Sequence, residues 1–233
     1  MANPQVMLIT GSRKGIGKQL VKHYVAKGVH VLGCSRKNVD YKFDNYQHFC
    51  LDVSDESAVK ALFFNIKKSY GRLDCLINNA GIGLRNHSLL TPNKSIQNIM
   101  GTNFTGTFLF CREGARLMKK NSFGRIVNLT TVAVPLKLEG EAVYSASKAA
   151  INSLTQILGK ELAEFGITVN AIGPTPIKTD LIRSIPKEKI ESLINSLAIK
   201  RYGEIRDVIN VIDFFIKPES DYLTGQIIYL GGA

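Results

Sequence analysis

The chain is 233 residues long and 45% hydrophobic, which is enough for one large domain with a sizeable core. Thirty Lys+Arg against nineteen Asp+Glu give a formal net charge of +11, which favours anionic partners. The basic residues are spread along the whole chain, without an arginine-rich arm or a cationic stripe interleaved with aromatics, so nucleic acid is not expected as a partner.

Membrane, secretory and metal-dependent classes are also disfavoured. No apolar run approaches the ~20 residues that span a bilayer, and residues 1–4 lead into a short apolar run without a basic leader. The four cysteines form no Cys-x-x-Cys pair and are expected to be small buried apolar residues. The four histidines show no ligand spacing with acidic residues. We therefore expect a soluble, cytoplasmic protein without a membrane partner or a metal.

Short β-favouring runs alternate along the chain with longer segments of helical spacing, which are clearest at 16–25 and 59–66. The expected strands are Val6–Thr10, Val29–Cys34, His48–Asp52, Leu73–Asn78, Arg125–Thr130, Ile167–Ile172 and, at the edge of the sheet, Gln226–Leu230. Such alternation predicts an α/β fold, a doubly wound parallel sheet that binds its ligand at the carboxyl ends of the strands. Because nothing resembles a linker, a single domain over residues 1–233 is predicted.

A glycine-rich segment joins the first expected strand to the first helix. Its residues are Gly11, Ser12, Arg13, Lys14, Gly15, Ile16 and Gly17. Glycines allow a tight turn and let backbone N–H groups approach a pyrophosphate at the start of a helix. The Gly-Lys-Ser/Thr ending of an NTPase loop is absent, so ATP or GTP hydrolysis is disfavoured. The alternative is a glycine-rich turn with only a structural role.

The end of the second strand indicates which dinucleotide binds. An acidic residue there would accept a hydrogen bond from the ribose of NAD and repel a 2′-phosphate, but the sequence has none. Ser35 and Arg36 instead offer a hydroxyl and a fork of N–H donors, with Arg13 or Lys14 as further cations. The sequence therefore favours NADP(H) over NAD(H), the alternative being that these cations are merely solvated.

Tyr144 and Lys148 are separated by one helical turn, which places a phenol and an ammonium on the same face. A nearby positive charge stabilises the phenolate and lowers the pKa of the phenol, so the pair is suited to acid and base chemistry. Two hydroxyls, at Thr130-Thr131, lie upstream. The spacing alone is also typical of an ordinary exposed helix pair.

Further motifs accompany these three in a fixed order. They are Asp52-Val53, Asn78-Asn79-Ala80-Gly81, Thr102-Asn103-Phe104-Thr105-Gly106, Asn128-Leu129-Thr130-Thr131 and Pro174 to Thr179. In their order and spacing the chain resembles the short-chain dehydrogenase/reductase family over nearly its whole length, and most of all the 3-oxoacyl-[acyl-carrier-protein] reductases. The resemblance implies a Rossmann-like, NADPH-dependent reductase of a ketone, in particular a 3-oxoacyl thioester, that forms a homotetramer or homodimer.

The resemblance also implies a role for each motif. Tyr144 would protonate the substrate oxygen, and Thr131 would stand in for the catalytic serine of the family. Lys148 would lower the pKa of Tyr144 and hold the nicotinamide ribose, while Asn103 would anchor a water or, alternatively, only bend a helix. The remaining expected cofactor contacts are Asp52, Val53, Asn79, Ala80, Gly81, Pro174, Ile177 and Thr179. Asp52 could instead cap a helix that starts near residue 54, and a substrate lid is expected at about 178–203.

The chain departs from the pattern of the similar reductases at positions that bear on the choice of substrate. Ser122 and Phe165 stand where the similar reductases carry basic residues that dock the carrier protein, and Lys119, Lys120 and Arg125 could compensate. A reductase or dehydrogenase of a sugar, polyol or specialised-metabolite ketone is therefore the alternative enzyme. A non-catalytic NADP(H)-binding sensor or structural protein is the alternative of another class.

Overall fold

The computed structural model describes residues 5–182 and 186–233. A parallel sheet runs through them, with strands β1 Val6–Thr10, β2 His30–Ser35, β3 Tyr46–Cys50, β4 Cys75–Asn78, β5 Gly124–Leu129, β6 Ile167–Gly173 and β7 Ile227–Tyr229. Its order is β3-β2-β1-β4-β5-β6-β7, and every neighbouring pair is parallel. The prediction of a doubly wound α/β fold is confirmed.

Helices connect the strands and cover both faces of the sheet. They are α1 Gly15–Ala26, α2 Glu56–Tyr70, α3 Asn93–Met100, α4 Gly106–Met118, α5 Ala133–Leu136, α6 Ala142–Glu161, α7 Lys187–Ser196 and α8 Ile205–Ile216. None of the helices in the described part of the chain is long and apolar enough to cross a membrane.

The side chains of β1 point alternately to the two faces of the sheet, and each face has its own buried cluster. Leu8 packs into a buried cluster with Phe110 of α4, while its neighbour Ile9 packs into a second cluster with Tyr24 of α1 and Phe215 of α8. Successive side chains of a strand point to opposite faces, so a central strand with helices on both sides is apolar throughout. This explains why all five residues of β1 are buried.

The third strand begins and ends two residues earlier than predicted. The chain turns after Cys50, where an oxygen of Asp52 accepts hydrogen bonds from the N and Oγ of Ser54, at 2.9 and 2.7 Å. The cap of α2 is Asp55, which accepts from two N–H groups of the first turn, so the alternative role of Asp52 as the cap of this helix is wrong. Cys50 itself is exposed on the edge strand, whereas the other three cysteines are buried as expected.

The site of ligand binding follows from the strand order. From β1 the chain builds outward to β2 and β3, and from β4 it builds outward in the opposite direction. A crevice opens at such a switch point, at the carboxyl ends of the two central strands. The glycine loop follows β1 and residues 79–81 follow β4, so both segments meet at this crevice.

Candidate active site

The glycine loop packs tightly against the segment after β4. Gly11 has a positive φ of 67°, and a Cβ there would lie 2.9 Å from Asn79 Nδ2 and from Ala80 Cα. A Cβ on Gly17 would clash with the carbonyl oxygen of Gly11. Asn79 Nδ2 donates to the carbonyl oxygens of Thr10 and Gly11, at 2.9 and 3.2 Å. The packing of the loop therefore requires glycine at both positions. The Asn79 side chain holds the loop in place.

The first turn of α1 forms the rim of the crevice. Within the described residues the helix starts at Gly15 without a side-chain cap, so its first N–H groups are suited to an anion. Arg13 is half-buried and Lys14 is exposed, and the ammonium of Lys14 is 3.3 Å from Asp180. A Cβ on Gly15 would lie 3.7 Å from Thr179. The segment after β6 therefore lies against the glycine loop, which is the arrangement expected if both segments contact one cofactor.

Ser12 is placed differently from expectation. It is fully buried, and its hydroxyl accepts from the Tyr46 hydroxyl at 3.0 Å and faces the carbonyl oxygen of Cys34 at 3.4 Å. Its side chain therefore points into the protein and not into the crevice. Because small hydroxyl residues suit both a buried turn and a phosphate loop, the sequence could not separate the two roles.

The end of β2 carries the two residues expected to select the cofactor. Arg36 is exposed. Ser35 donates to the carbonyl oxygen of Lys37 at 2.7 Å and lies 3.1 Å from His48 Nε2. His48 was missed by the sequence reasoning, although the register of β3 places it opposite Gly33 on the neighbouring strand.

Tyr144 and Thr131 are brought together at the start of α6. The Thr131 hydroxyl lies close enough to Tyr144 to influence the pKa of its phenol, and it accepts from the backbone N–H of Ala133 at 3.3 Å. The pKa of Tyr144 is raised to about 12, first by burial and then by the negative charge of Glu141, while the Thr131 hydroxyl acts in the opposite direction. The phenol is therefore held in its protonated form at neutral pH.

Lys148 lies one turn further along α6. It is 5% exposed, its Nζ donates to the carbonyl oxygen of Leu129 at 2.7 Å, and burial lowers its pKa to about 8. Burial dominates the pKa of the Tyr144 phenol, and the ammonium of Lys148 is directed at Leu129, so the lowering of that pKa by Lys148 stays a prediction. A Cβ on Gly81 would lie 3.4 Å from Lys148 Nζ and from Asn103 Oδ1, so the glycine leaves this pair open.

Asn103 lies in a π-helical turn, Gly101–Thr105, between α3 and α4. Its Oδ1 accepts from the N–H of Ile82, and its Nδ2 donates to the carbonyl oxygen of Ile82 and to Ser147 Oγ, all at 2.9 Å. Such turns occur frequently at functional sites. Asn103 therefore does lie in an irregular helix, and its amide also ties the segment after β4 to the helix that carries Tyr144.

Three other residues that were expected to contact the cofactor are held in place by packing or by backbone bonds. Val53 is buried, and a Cβ on Gly106 would lie 2.7 Å from its Cγ2. Ile177 is 6% exposed within the core and forms an isolated bridge with Gly203. The carbonyl oxygen of Pro174 accepts from a backbone N–H at 3.3 Å. The side chains of Val53 and Ile177 are thus packed inside the protein.

The expected carrier-docking surface is smaller than predicted. Arg125 is 3% exposed, and its Nη1 donates to the carbonyl oxygen of Gly124 at 3.0 Å. The ammonium of Lys119 is exposed but lies 3.8 Å from the ring centroid of Phe165. The suggestion that Arg125 compensates for the missing docking residues is therefore wrong, because a buried guanidinium cannot meet a partner.

Comparisons with known proteins agree with this geometry. A family model described as short chain dehydrogenase matches residues 5–190. The 3-oxoacyl-[acyl-carrier-protein] reductase of Haemophilus influenzae is 31% identical over 234 residues, covering 98% of this chain and 97% of that protein. The structure of ElxO with NADP bound has a TM-score of 0.90 at 29% identity, covering 98% of this chain and 97% of that one.

A further similar structure is that of a variant of actinorhodin polyketide ketoreductase with NADPH, which has a TM-score of 0.88 at 26% identity and covers 100% of this chain and 98% of that one. The matches span the sheet, the glycine loop and the helix with Tyr144 and Lys148. The family expected from the motifs is confirmed. The chain belongs to the short-chain dehydrogenase/reductase family and is an oxidoreductase.

Proposed function

We propose that this chain is an NADPH-dependent carbonyl reductase whose substrate is a 3-oxoacyl thioester. The observation that carries the reductase assignment is that the Thr131 hydroxyl lies close enough to Tyr144 to influence the pKa of its phenol, with the ammonium of Lys148 one turn away. A protein that only sensed or bound the cofactor would have no use for a proton donor beside a second hydroxyl. The similar reductase of Haemophilus influenzae acts, by its name, on 3-oxoacyl groups held by a carrier protein.

The residues around the crevice fit NADP(H). Gly11 and Gly17 leave no space for a side chain, and the start of α1 is suited to the pyrophosphate. The end of β2 offers Ser35 and the exposed Arg36 to a 2′-phosphate. Two similar proteins have NADP or NADPH bound. When bound, NADPH supplies the hydride that adds to the carbonyl carbon of the substrate.

The chain itself supplies the proton. Tyr144, with a pKa of about 12, is protonated at neutral pH, and an oxygen that gains negative charge is a strong enough base to take this proton. The Thr131 hydroxyl would hold the same oxygen in place. The pKa of Lys148, about 8, lies near the working pH, so its ammonium is suited to return a proton to the phenolate. Asn103 positions the surrounding backbone.

The segment 178–203 is proposed as the substrate lid. Its helix α7 buries Ile190, Leu193 and Ile194 against the protein, and its start is tied to the glycine loop by the ion pair of Lys14 and Asp180. Residues 183–185 of this segment lie outside the described residues.

A homotetramer or homodimer of single-domain subunits completes the proposal. Phe108 of α4 and Ile157 of α6 are exposed large apolar side chains, 38% and 51% accessible, which a partner copy would cover.

The buried Arg125 favours a second candidate substrate, a free ketone of the sugar, polyol or specialised-metabolite kind. Lys119 and Lys120 remain exposed beside it, and they support the carrier-linked substrate. Salt should lower kcat/KM for the carrier-linked substrate more than for the free ketone, since screening weakens the attraction between exposed charges.

The experiment compares carrier-linked acetoacetyl substrate with its short thioester analogue, following NADPH absorbance at low and high salt. We expect a carrier advantage in kcat/KM that shrinks with salt, and the variant Lys119→Ala/Lys120→Ala should reduce it. Lys67→Ala/Lys68→Ala on α2 is the matched control. Equal kcat/KM for both substrates at every salt concentration contradicts the carrier-linked substrate and favours the free ketone.

A further inference from the structure

A chain of polar side chains lies at the carboxyl end of β2, apart from the catalytic group. His48 is its centre. The Nε2 of His48 is 3.1 Å from Ser35 Oγ and 3.2 Å from the carbonyl oxygen of Lys37, while its Nδ1 is 2.9 Å from the Tyr46 hydroxyl. The Tyr46 hydroxyl in turn lies 3.0 Å from Ser12 Oγ. The network therefore connects the glycine loop to the segment that selects the cofactor.

The fold leaves room for this network at one position of β2. A Cβ on Gly33 would clash with the Tyr46 hydroxyl and would lie 2.5 Å from Ser12 Oγ. Gly33 stands opposite His48 in the register of the two strands. The absence of a side chain at Gly33 is thus what allows the hydroxyls and the imidazole to meet.

Hydrogen bonding fixes the neutral form of the imidazole. The carbonyl oxygen of Lys37 can only accept, and the Ser35 hydroxyl already donates to it at 2.7 Å. The proton of neutral His48 therefore resides on Nε2, which donates toward Ser35 Oγ and Lys37. Its Nδ1 then accepts from the Tyr46 hydroxyl, whose one proton in this form points to the ring and not to Ser12 Oγ.

The same network can also hold the charged form. A second proton on Nδ1 of His48 would be donated to the oxygen of Tyr46, whose hydroxyl then turns to Ser12 Oγ. Ser12 in turn donates to the carbonyl oxygen of Cys34. Because every donor of this network keeps an acceptor, protonation of His48 avoids an unpaired buried polar group, which is the usual cost of such a change.

We propose that His48 is a proton-linked specificity residue for the 2′-phosphate of the cofactor. Its imidazolium would add a positive charge behind Ser35, so that NADPH, but not NADH, binds more tightly when His48 gains a proton. This inference rests on the proposed function, which places the 2′-phosphate at Ser35 and Arg36.

The charges on the neighbouring elements are compatible with this role. The titratable groups there are Tyr46 and Cys50 on β3, Cys34 on β2, Arg36, Lys37, Asp40, Tyr41, Lys42 and Asp44 between β2 and β3, Asp52 after β3, Arg13 and Lys14 in the glycine loop, and Lys18 on α1. Of the three carboxylates, Asp40 is paired with Lys18 at 2.9 Å, and the six cations outnumber them. The surrounding charge is thus mainly positive, which favours neutral His48 until a phosphate binds.

The sign of the pH dependence follows from this. Burial lowers the pKa of His48 in the free protein below its ordinary value of 6.5. A bound dianion raises the pKa of a neighbouring imidazole, so NADPH binding takes up a proton. Affinity for NADPH therefore rises as pH falls through the pKa of the bound state, whereas affinity for NADH does not.

The test is to measure the dissociation constants of NADPH and NADH by fluorescence from about pH 8 to pH 6, for the wild type and for His48→Gln. In the wild type the preference for NADPH over NADH should increase roughly three- to tenfold over this range, since one unit of pKa shift corresponds to a factor of ten. The phosphate itself titrates with a pKa of ~6, an effect that the variant shares. His30→Gln, at the amino end of β2, is the matched control.

Calorimetry in two buffers of different ionisation enthalpy counts the protons directly. NADPH binding to the wild type should take up more protons than binding to His48→Gln at the same pH, with NADH showing no difference. Equal proton uptake in the two proteins, or the same pH dependence in both, overturns the inference while leaving the reductase proposal intact. If NADPH fails to bind the wild type at all, the proposed function fails instead.

Discussion

The guanidinium of Arg85 is paired with the carboxylate of Glu141 at the start of the helix that carries Tyr144. The Glu141 residue is 7% exposed, and its negative charge raises the pKa of the Tyr144 phenol. Arg85 belongs to the segment after β4 and Glu141 to the segment before α6. The ion pair thus joins two walls of the active site and influences the proton donor.

Replacing Glu141 with Gln should lower the pKa of Tyr144, because the negative charge disappears while an amide oxygen remains for Arg85. Oxidation of an alcohol needs the phenolate, so its pH profile in kcat/KM should move to lower pH. The exposed Glu139 provides the control Glu139→Gln, which should leave the profile in place. A profile that stays fixed or moves to higher pH in Glu141→Gln refutes the assigned coupling.

Lys148→Met should stabilise the protein while abolishing turnover. Burial lowers the pKa of Lys148 from 10.5 to about 8, which corresponds to roughly 3 kcal/mol. Loss of the hydrogen bond from Lys148 to the carbonyl oxygen of Leu129 reduces this gain in stability by about 1 kcal/mol. We therefore expect the free energy of unfolding in urea at pH 7 to rise by about 2 kcal/mol.

The pH dependence of this stabilisation has a definite sign. Between about pH 8 and pH 10.5 the folded wild type releases the Lys148 proton while the unfolded chain keeps it, so the wild type gains stability as pH rises. The difference between Lys148→Met and wild type should shrink over that range. A constant difference, or a variant less stable at pH 7, contradicts the role of burial.

The elements that depend on residues close together in the chain could be predicted from the sequence. Four of the five residues of β1 are apolar, and the glycine loop directly follows it, so the positions of both were predicted correctly. The spacing of Tyr144 and Lys148 likewise placed both on one helix.

Contacts between distant segments could not be predicted in the same way. Whether Ser12 faces a ligand or Tyr46 depends on the register of β2 and β3, and the burial of Arg125 depends on packing that residue type alone does not reveal. The direction of the pKa of Tyr144 depends on a balance between burial and charge. Since each involves residues far apart in the chain, a motif contains no information on it.

Thr131 should act through its hydroxyl. Thr131→Ser keeps the donor and acceptor that meet Tyr144, so kcat should remain within a few-fold of the wild type. Thr131→Val has a similar shape without the hydroxyl and should lower kcat about a hundredfold. Steady-state reduction of a ketone with saturating NADPH measures both. Tolerance of valine would mean that Tyr144 alone positions the substrate oxygen.

Arg36→Asp should reverse or strongly erode the preference for NADPH over NADH. The carboxylate would repel the 2′-phosphate and accept from a ribose hydroxyl, so the ratio of kcat/KM for the two cofactors should fall at least about tenfold. Lys37→Asp makes the same charge change one residue later and should have a smaller effect. Comparable loss in both variants would point to general surface charge instead of a specific contact.

Tyr144→Phe tests the central claim, that this phenol protonates the substrate oxygen. The change removes the transferable proton and little volume, so folding and NADPH affinity should be unchanged. Tyr70→Phe on α2 is the matched control. With a ketone that the wild type reduces, NADPH oxidation should fall by roughly 10²–10⁴-fold in Tyr144→Phe. Turnover close to that of the wild type would contradict the account.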